Sequence, residues 1–111
     1  MQTSYFAKYK GLNAVSIALS KPKWYQCGEY KQLAPTWNLL NKYKLDRDEE
    51  YYIKHYYEDV LSKLDPKQVY EELGEDAVLL CWEKSLDFCH RHIVSEWLHK
   101  ELGIEVKEYN G

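Results

Sequence analysis

A chain of 111 residues, 45% hydrophobic and 30% charged, has the length of a single domain with its own core, expected here to span residues 1–111. Eleven tyrosines and four tryptophans against five glycines and three prolines exclude a disordered or collagen-like chain. A net charge of −3 argues against a nucleic-acid polymer as partner, and no apolar run approaches the ~20 residues of a membrane span.

In chain order, residues 4–7 (SYFA) predict a short strand, and Gly11 punctuates the turn after it. Residues 14–19 (AVSIAL) predict a buried strand between Asn13 and the Ser20/Pro22 break. Residues 21–35 are irregular, with Pro22, Gly28 and Pro35 among Trp24, Tyr25 and Tyr30, and a loop of that length is usually functional or partly helical. Thr36 can cap a helix carrying Trp37, Leu39, Leu40 and Tyr43. A second helix follows the charged break at 46–50, with a predicted apolar stripe of Ile53, Tyr57, Val60, Leu61 and Leu64. Tyr51, Tyr52, His55 and Tyr56 flank that stripe, either packing under the long loop or forming a partner or homodimer surface. Asp65-Pro66 opens a short helix that ends before Gly74.

Residues 77–82 (AVLLCW) are continuously apolar, as a strand buried on both faces must be. A loop over 83–87 leads into a helix to about Leu102, with Ile93, Val94, Trp97, Leu98 and Leu102 inward and Gly103 as its C-terminal cap. Residues 104–107 alternate like a final edge strand. Long crossovers between apolar strands require parallel pairing, so the expected architecture is a small three-layer α/β sandwich with a mostly parallel sheet of about four strands.

The candidate site lies where the third apolar strand meets the last helix. Ligands of open parallel sheets bind beyond the carboxyl ends of the strands, and a helix start attracts anions. With Asp87 as the cap, Cys89 and His90 fall in the first turn beside Arg91, an environment that favours a thiolate or holds an anionic ligand. The alternative is that Cys89 and His90 are half-buried filler and Arg91 answers Asp87 or Glu83. Lys8, Lys21 and Lys23 follow the first two strands and can face the same rim, and Trp24 can stack a base. Cys81 and Cys89 lack the spacing of a zinc ribbon or a redox Cys-x-x-Cys pair, and neither has an arginine six residues on, as a cysteine phosphatase would. Three cysteines cannot all pair, which favours a reduced chain in the cytoplasm, and residues 1–10 lack the apolar centre of a signal peptide. His92, Glu96 and His99 share a helix face that should be solvated, so neither a metal site nor a cofactor is expected.

The run LLCWEK followed by FCHRHIVSEWL, with SYFA, VSIA, PKWY and YKQLAPTW earlier, resembles the domain-of-unknown-function family numbered 488, in particular its short members, several of which occur in phage genomes. The resemblance covers most of the chain. It implies an α/β sandwich with its site at the Cys-His-Arg helix start, and it points to Cys81, Glu83, Lys84, Cys89, His90 and Arg91. The leading expectation is a protein that binds a small anionic, nucleotide-like ligand through Tyr5, Lys21, Lys23, Trp24, Cys81, Lys84, Cys89, His90 and Arg91. In a phage setting it would sequester a signalling nucleotide in the host cytoplasm. The alternatives are an enzyme with Cys89 as nucleophile and His90 or Glu83 as proton carrier, and a protein-interaction module.

Overall fold

A strand that is apolar on both faces needs neighbours on both edges, and Val78–Cys81 (β4) has them. In the computed structural model, which describes residues 1–83 and 87–110, Gln2–Tyr5 (β1) pairs along one edge and Ala14–Ser16 (β2) along the other. Gly28–Glu29 (β3) and Lys107–Glu108 (β5) complete a five-stranded sheet in the order β3-β2-β4-β1-β5, with every pairing parallel. The chain is thus the small single α/β sandwich expected, with one strand more. That strand, β3, lies inside the segment read as irregular. β5 falls later than residues 104–107, and β1 earlier than residues 4–7. Two-residue strands carry too little periodicity to show in a sequence.

Four helices bury one side of the sheet. Trp37–Asp46 (α1) is capped by Thr36, whose Oγ1 accepts from the Leu39 N–H at 3.2 Å. Glu49–Asp59 (α2) is capped by Asp48, and Pro66–Leu73 (α3) by Asp65, with Pro66 in the first turn where no N–H is missed. His90–Leu102 (α4) ends at Gly103, whose φ of 69° closes the helix through an N–H to the His99 carbonyl at 2.9 Å. Leu39, Tyr52, Tyr56, Val69, Val94 and Leu98 from these helices pack with Leu79 of β4. The opposite face, carrying Ala14, Val78 and Leu80, is covered by Phe6, Tyr9 and Tyr25 from the connecting segments. This aromatic cover forms the third layer. Tyr25 donates its hydroxyl to the Tyr9 carbonyl, which allows a tyrosine to be enclosed there.

The inward face of α2 differs from the predicted stripe. Tyr52 and Tyr56 are buried, whereas Ile53 is 39% exposed and Tyr57 half-buried. The helix stops at Asp59, and Leu61–Lys63 forms a separate 3-10 turn. Tyr56 is enclosed because its hydroxyl donates to the Leu33 carbonyl at 2.6 Å, and burial raises its pKa well above that of a free tyrosine. Tyr56 therefore packs under the long loop, Tyr52 meets the rings of Tyr43 and Phe88 edge-on instead, and Tyr51 stacks on His55. No helix among the described residues is long and apolar enough to cross a membrane.

Leu79, fully enclosed between β1 and β2, sets the core. Leu79→Ala should lower the unfolding free energy in urea by about 2–5 kcal/mol, whereas Leu12→Ala, at a fully exposed leucine, should leave it within about 0.5 kcal/mol.

Candidate functional site

The carboxyl ends of β2 and β4 open into a cleft of 380 Å³. Ala18, Leu19 and Ser20, which follow β2, form one wall, and Cys81, Trp82 and Glu83, at the end of β4, form another. Trp37, Leu40, Tyr43 and Lys44 come from one face of α1, Tyr52 from α2, and Phe88 from the segment before α4. The rings of Tyr43 and Phe88 stack with centroids 4.9 Å apart, and Tyr52 meets Phe88 edge-on at 5.1 Å. Cys81, Cys89 and His90 form the floor. Trp82 donates its indole N–H to the Ser20 carbonyl at 2.8 Å, tying the two strand ends together at the mouth.

The floor results from local chain geometry. Cys89 is the N-cap of α4 in extended conformation, displacing the expected Asp87 cap by two residues. Its side chain therefore turns back over the end of β4, where its sulfur is joined to Cys81 as a disulfide with the Cα atoms 7.4 Å apart. The expectation of three reduced cysteines is corrected accordingly. An isolated, electropositive Cys89 thiolate at the helix start is also replaced, since Cys89 is buried and bonded to a neighbour eight residues away. Cys27 is a free, half-buried thiol whose pKa burial pushes up.

His90, the first residue of α4, is buried with Nε2 2.7 Å from the Ile17 carbonyl. A carbonyl only accepts, so Nε2 carries the proton and Nδ1 presents a lone pair. That nitrogen faces the Cys89 sulfur at 3.7 Å. Burial, with smaller contributions from Arg91 and His92, pushes the imidazole pKa down to about 4, so His90 is neutral at pH 7. The donor atoms of Cys81, Cys89 and His90 lie within 4.8 Å of one another, a gathering of metal-ligating groups that the sequence reading did not expect.

Arg91 departs furthest from expectation. Its side chain is completely buried, and its guanidinium grips Glu108 of β5 side-on, Nε to Oε1 at 3.1 Å and Nη2 to Oε2 at 3.0 Å. Nη1 donates to the Cys81 sulfur at 2.9 Å and to the Glu83 carbonyl at 2.7 Å, and the group lies over the Tyr5 ring. Arg91 thus answers neither the Asp87 nor the Glu83 carboxylate. It also does not line the cleft. A guanidinium taken wholly out of water needs a charged partner, and Glu108, 17 residues away, supplies it.

Of the residues expected at the site, the fold brings Cys81, Glu83, Cys89 and His90 to the cleft. Tyr5 lies under Arg91 instead, and Lys21 binds the Tyr25 carbonyl at 3.1 Å. Trp24, 61% exposed, lies edge-on to Tyr25 with the Lys10 ammonium over it, and Lys23 next to it is exposed. Lys84 falls outside the described residues. Trp37, Tyr43, Lys44, Tyr52 and Phe88 were missed as site residues, because aromatic residues at helical spacing read first as core. The signal for the α1 residues was that Trp37, Leu40 and Lys44 share a face other than that of its buried Leu39.

A parallel sheet with a walled cleft at the carboxyl ends of its strands defines the chain as an α/β protein whose cleft lies where open parallel sheets carry their ligands. Residues 14–102 match the family model DUF488-N3a, described as an active DUF488-N3 subclade, and the chain belongs to the DUF488 family. No curated protein and no solved structure matches it.

Because Arg91 is enclosed, removing its partner strands a charge. Glu108→Ala should cost about 3–5 kcal/mol of stability in denaturant unfolding, whereas Glu83→Ala, which keeps the carbonyl that Arg91 uses, should cost less than about 1 kcal/mol.

Proposed function

We propose that the protein binds a small ligand with a flat, nucleotide-like ring in the cleft beyond β2 and β4. The cleft itself carries this reading: its 380 Å³ lies within the ~300–1,000 Å³ of small-molecule sites, and Trp37, Tyr43, Tyr52, Trp82 and Phe88 bring aromatic rings to its walls. The Tyr43–Phe88 stack and Trp37 offer ring faces, while Ser20, Glu83 and backbone groups at the strand ends offer polar contacts. Lys44 on α1 replaces Arg91 as the cation for an anionic group, since the Arg91 guanidinium is held by Glu108. Sequestration of a signalling nucleotide is one use that such a cleft serves.

Calorimetric titration with adenosine and guanosine monophosphates tests this. We expect saturable 1:1 binding of at least one nucleotide, weakened about tenfold by Lys44→Ala and by Trp37→Ala, each removing about 1.4 kcal/mol of contact. Lys21→Ala, outside the cleft, should bind as wild type. Binding of neither nucleotide, or equal loss in the Lys21 variant, would remove the reading.

A second reading is favoured by one contact, the His90 Nδ1 lone pair 3.7 Å from the Cys89 sulfur. In the reduced protein it would take the Cys89 thiol proton as the sulfur bonds to an electrophilic substrate atom, whose leaving group departs with its bonding pair. Glu83, at the cleft edge, is the further proton carrier. The description of the subclade as active suits this enzyme. Mass spectrometry should then find the nucleotide altered by the reduced wild type and unaltered by Cys89→Ser.

A further inference from the structure

We infer that, once Cys81 and Cys89 are reduced, the cleft floor is a site for one soft divalent cation, zinc in kind, held by the two sulfurs and His90 Nδ1. The three donor atoms lie within 4.8 Å of one another on buried side chains, and all three residues line the cleft. Soft thiolates with one imidazole suit zinc, and three protein ligands with a fourth position open are the arrangement of its reactive rather than its purely structural sites.

Distances support the assignment. A tetrahedral zinc with bonds of ~2.3 Å to sulfur and ~2.0 Å to nitrogen places those ligands about 3.5 Å apart. His90 Nδ1 and Cys89 Sγ are 3.7 Å apart. Two sulfurs on one zinc lie about 3.8 Å apart by the same geometry. The Cα atoms of Cys81 and Cys89, at 7.4 Å, are spaced more widely than the about 4.4–6.8 Å usual for a disulfide, leaving room for that separation.

The surroundings are already those of a metal site. A histidine ligand is ordinarily oriented by giving its other ring N–H to a carbonyl or carboxylate, and His90 Nε2 meets the Ile17 carbonyl at 2.7 Å. Cys81 receives an N–H from Arg91 at 2.9 Å, a bond that steadies a thiolate ligand. Charge points the same way. Arg91 and Glu108 neutralise each other, so two buried thiolates leave two negative charges that a divalent cation cancels.

Loading requires reduction. The disulfide takes up two electrons and two protons from a dithiol-class reductant to give two thiols, and the cation then displaces the two thiol protons. This inference goes beyond nucleotide binding and competes with the covalent reading, since Cys89 cannot be ligand and nucleophile at once.

The full chain, reduced with a phosphine under inert gas and stripped by chelator, is titrated with cobalt(II) and then with zinc(II). We expect one equivalent of cobalt, sulfur-to-cobalt charge-transfer bands with the visible spectrum of a tetrahedral ion, and displacement by zinc. Cys81→Ser, Cys89→Ser and His90→Ala should each weaken binding by about 100-fold or more, whereas Cys27→Ser should not change it. In wild type, where folding of a variant is not at issue, bound zinc should slow alkylation of Cys81 and Cys89 but not of Cys27. Absence of cobalt bands in the reduced wild type, their persistence in Cys89→Ser, or their loss in Cys27→Ser would overturn the inference. Cobalt uptake without nucleotide binding would leave it standing and remove the ligand reading, and the reverse result would do the opposite.

Discussion

A guanidinium enclosed on every side obliges the chain to bring acceptors to it, and the strand ends and the last helix are arranged around that obligation. Arg91 leaves the first turn of α4 and meets Glu108 of β5, Cys81 at the end of β4 and the Glu83 carbonyl beyond it. Glu108 is held in turn by the Thr3 hydroxyl of β1 at 2.6 Å. A single buried cation therefore ties three strands and a helix together at one place. Without it, β5, a strand of two residues, would have little beyond its ladder to hold it against β1.

The cleft depends on the same knot. Consecutive residues of a helix point about 100° apart, so the turn that sends Arg91 toward β5 sends His90 toward Ile17 and the end of β2. One residue earlier, the chain is still extended, and the Cys89 side chain is released toward Cys81. The Cys-His-Arg triplet thus performs three tasks in three directions: sulfur at the floor, imidazole on its flank, and charge beneath the sheet edge.

Much of this was legible in the sequence, for identifiable reasons. Residues 77–82 announced a central strand because burial on both faces removes every polar position. Thr36, Asp65-Pro66 and Gly103 announced helix ends because each meets a local backbone need at its position. The presence of a cleft at the strand ends followed from parallel topology. The role of Arg91 did not, because its partner lies 17 residues on in a strand too short to predict. Ile53 was placed inward over Tyr52 because isoleucine is the more apolar residue, yet Tyr56 finds a carbonyl for its hydroxyl and the tyrosine face brings more area into the core. The Cys81–Cys89 meeting was hidden because nothing in the seven intervening residues of the sequence signals that the two sulfurs meet.

The indole clasp between Trp82 and Ser20 leaves the two sides of the cleft unequal in tolerance to change. The strand ends and the floor of Cys81, Cys89 and His90 are committed to the architecture, since each holds something else in place. The outer face of α1 is not: there Trp37 is 62% exposed and Lys44 stands in solvent. Substitutions there reshape the cleft without touching the sheet, because α1 is anchored by Leu39 from its other side. The helix is thus an interchangeable wall, whose outer face can change while the fold beneath stays constant.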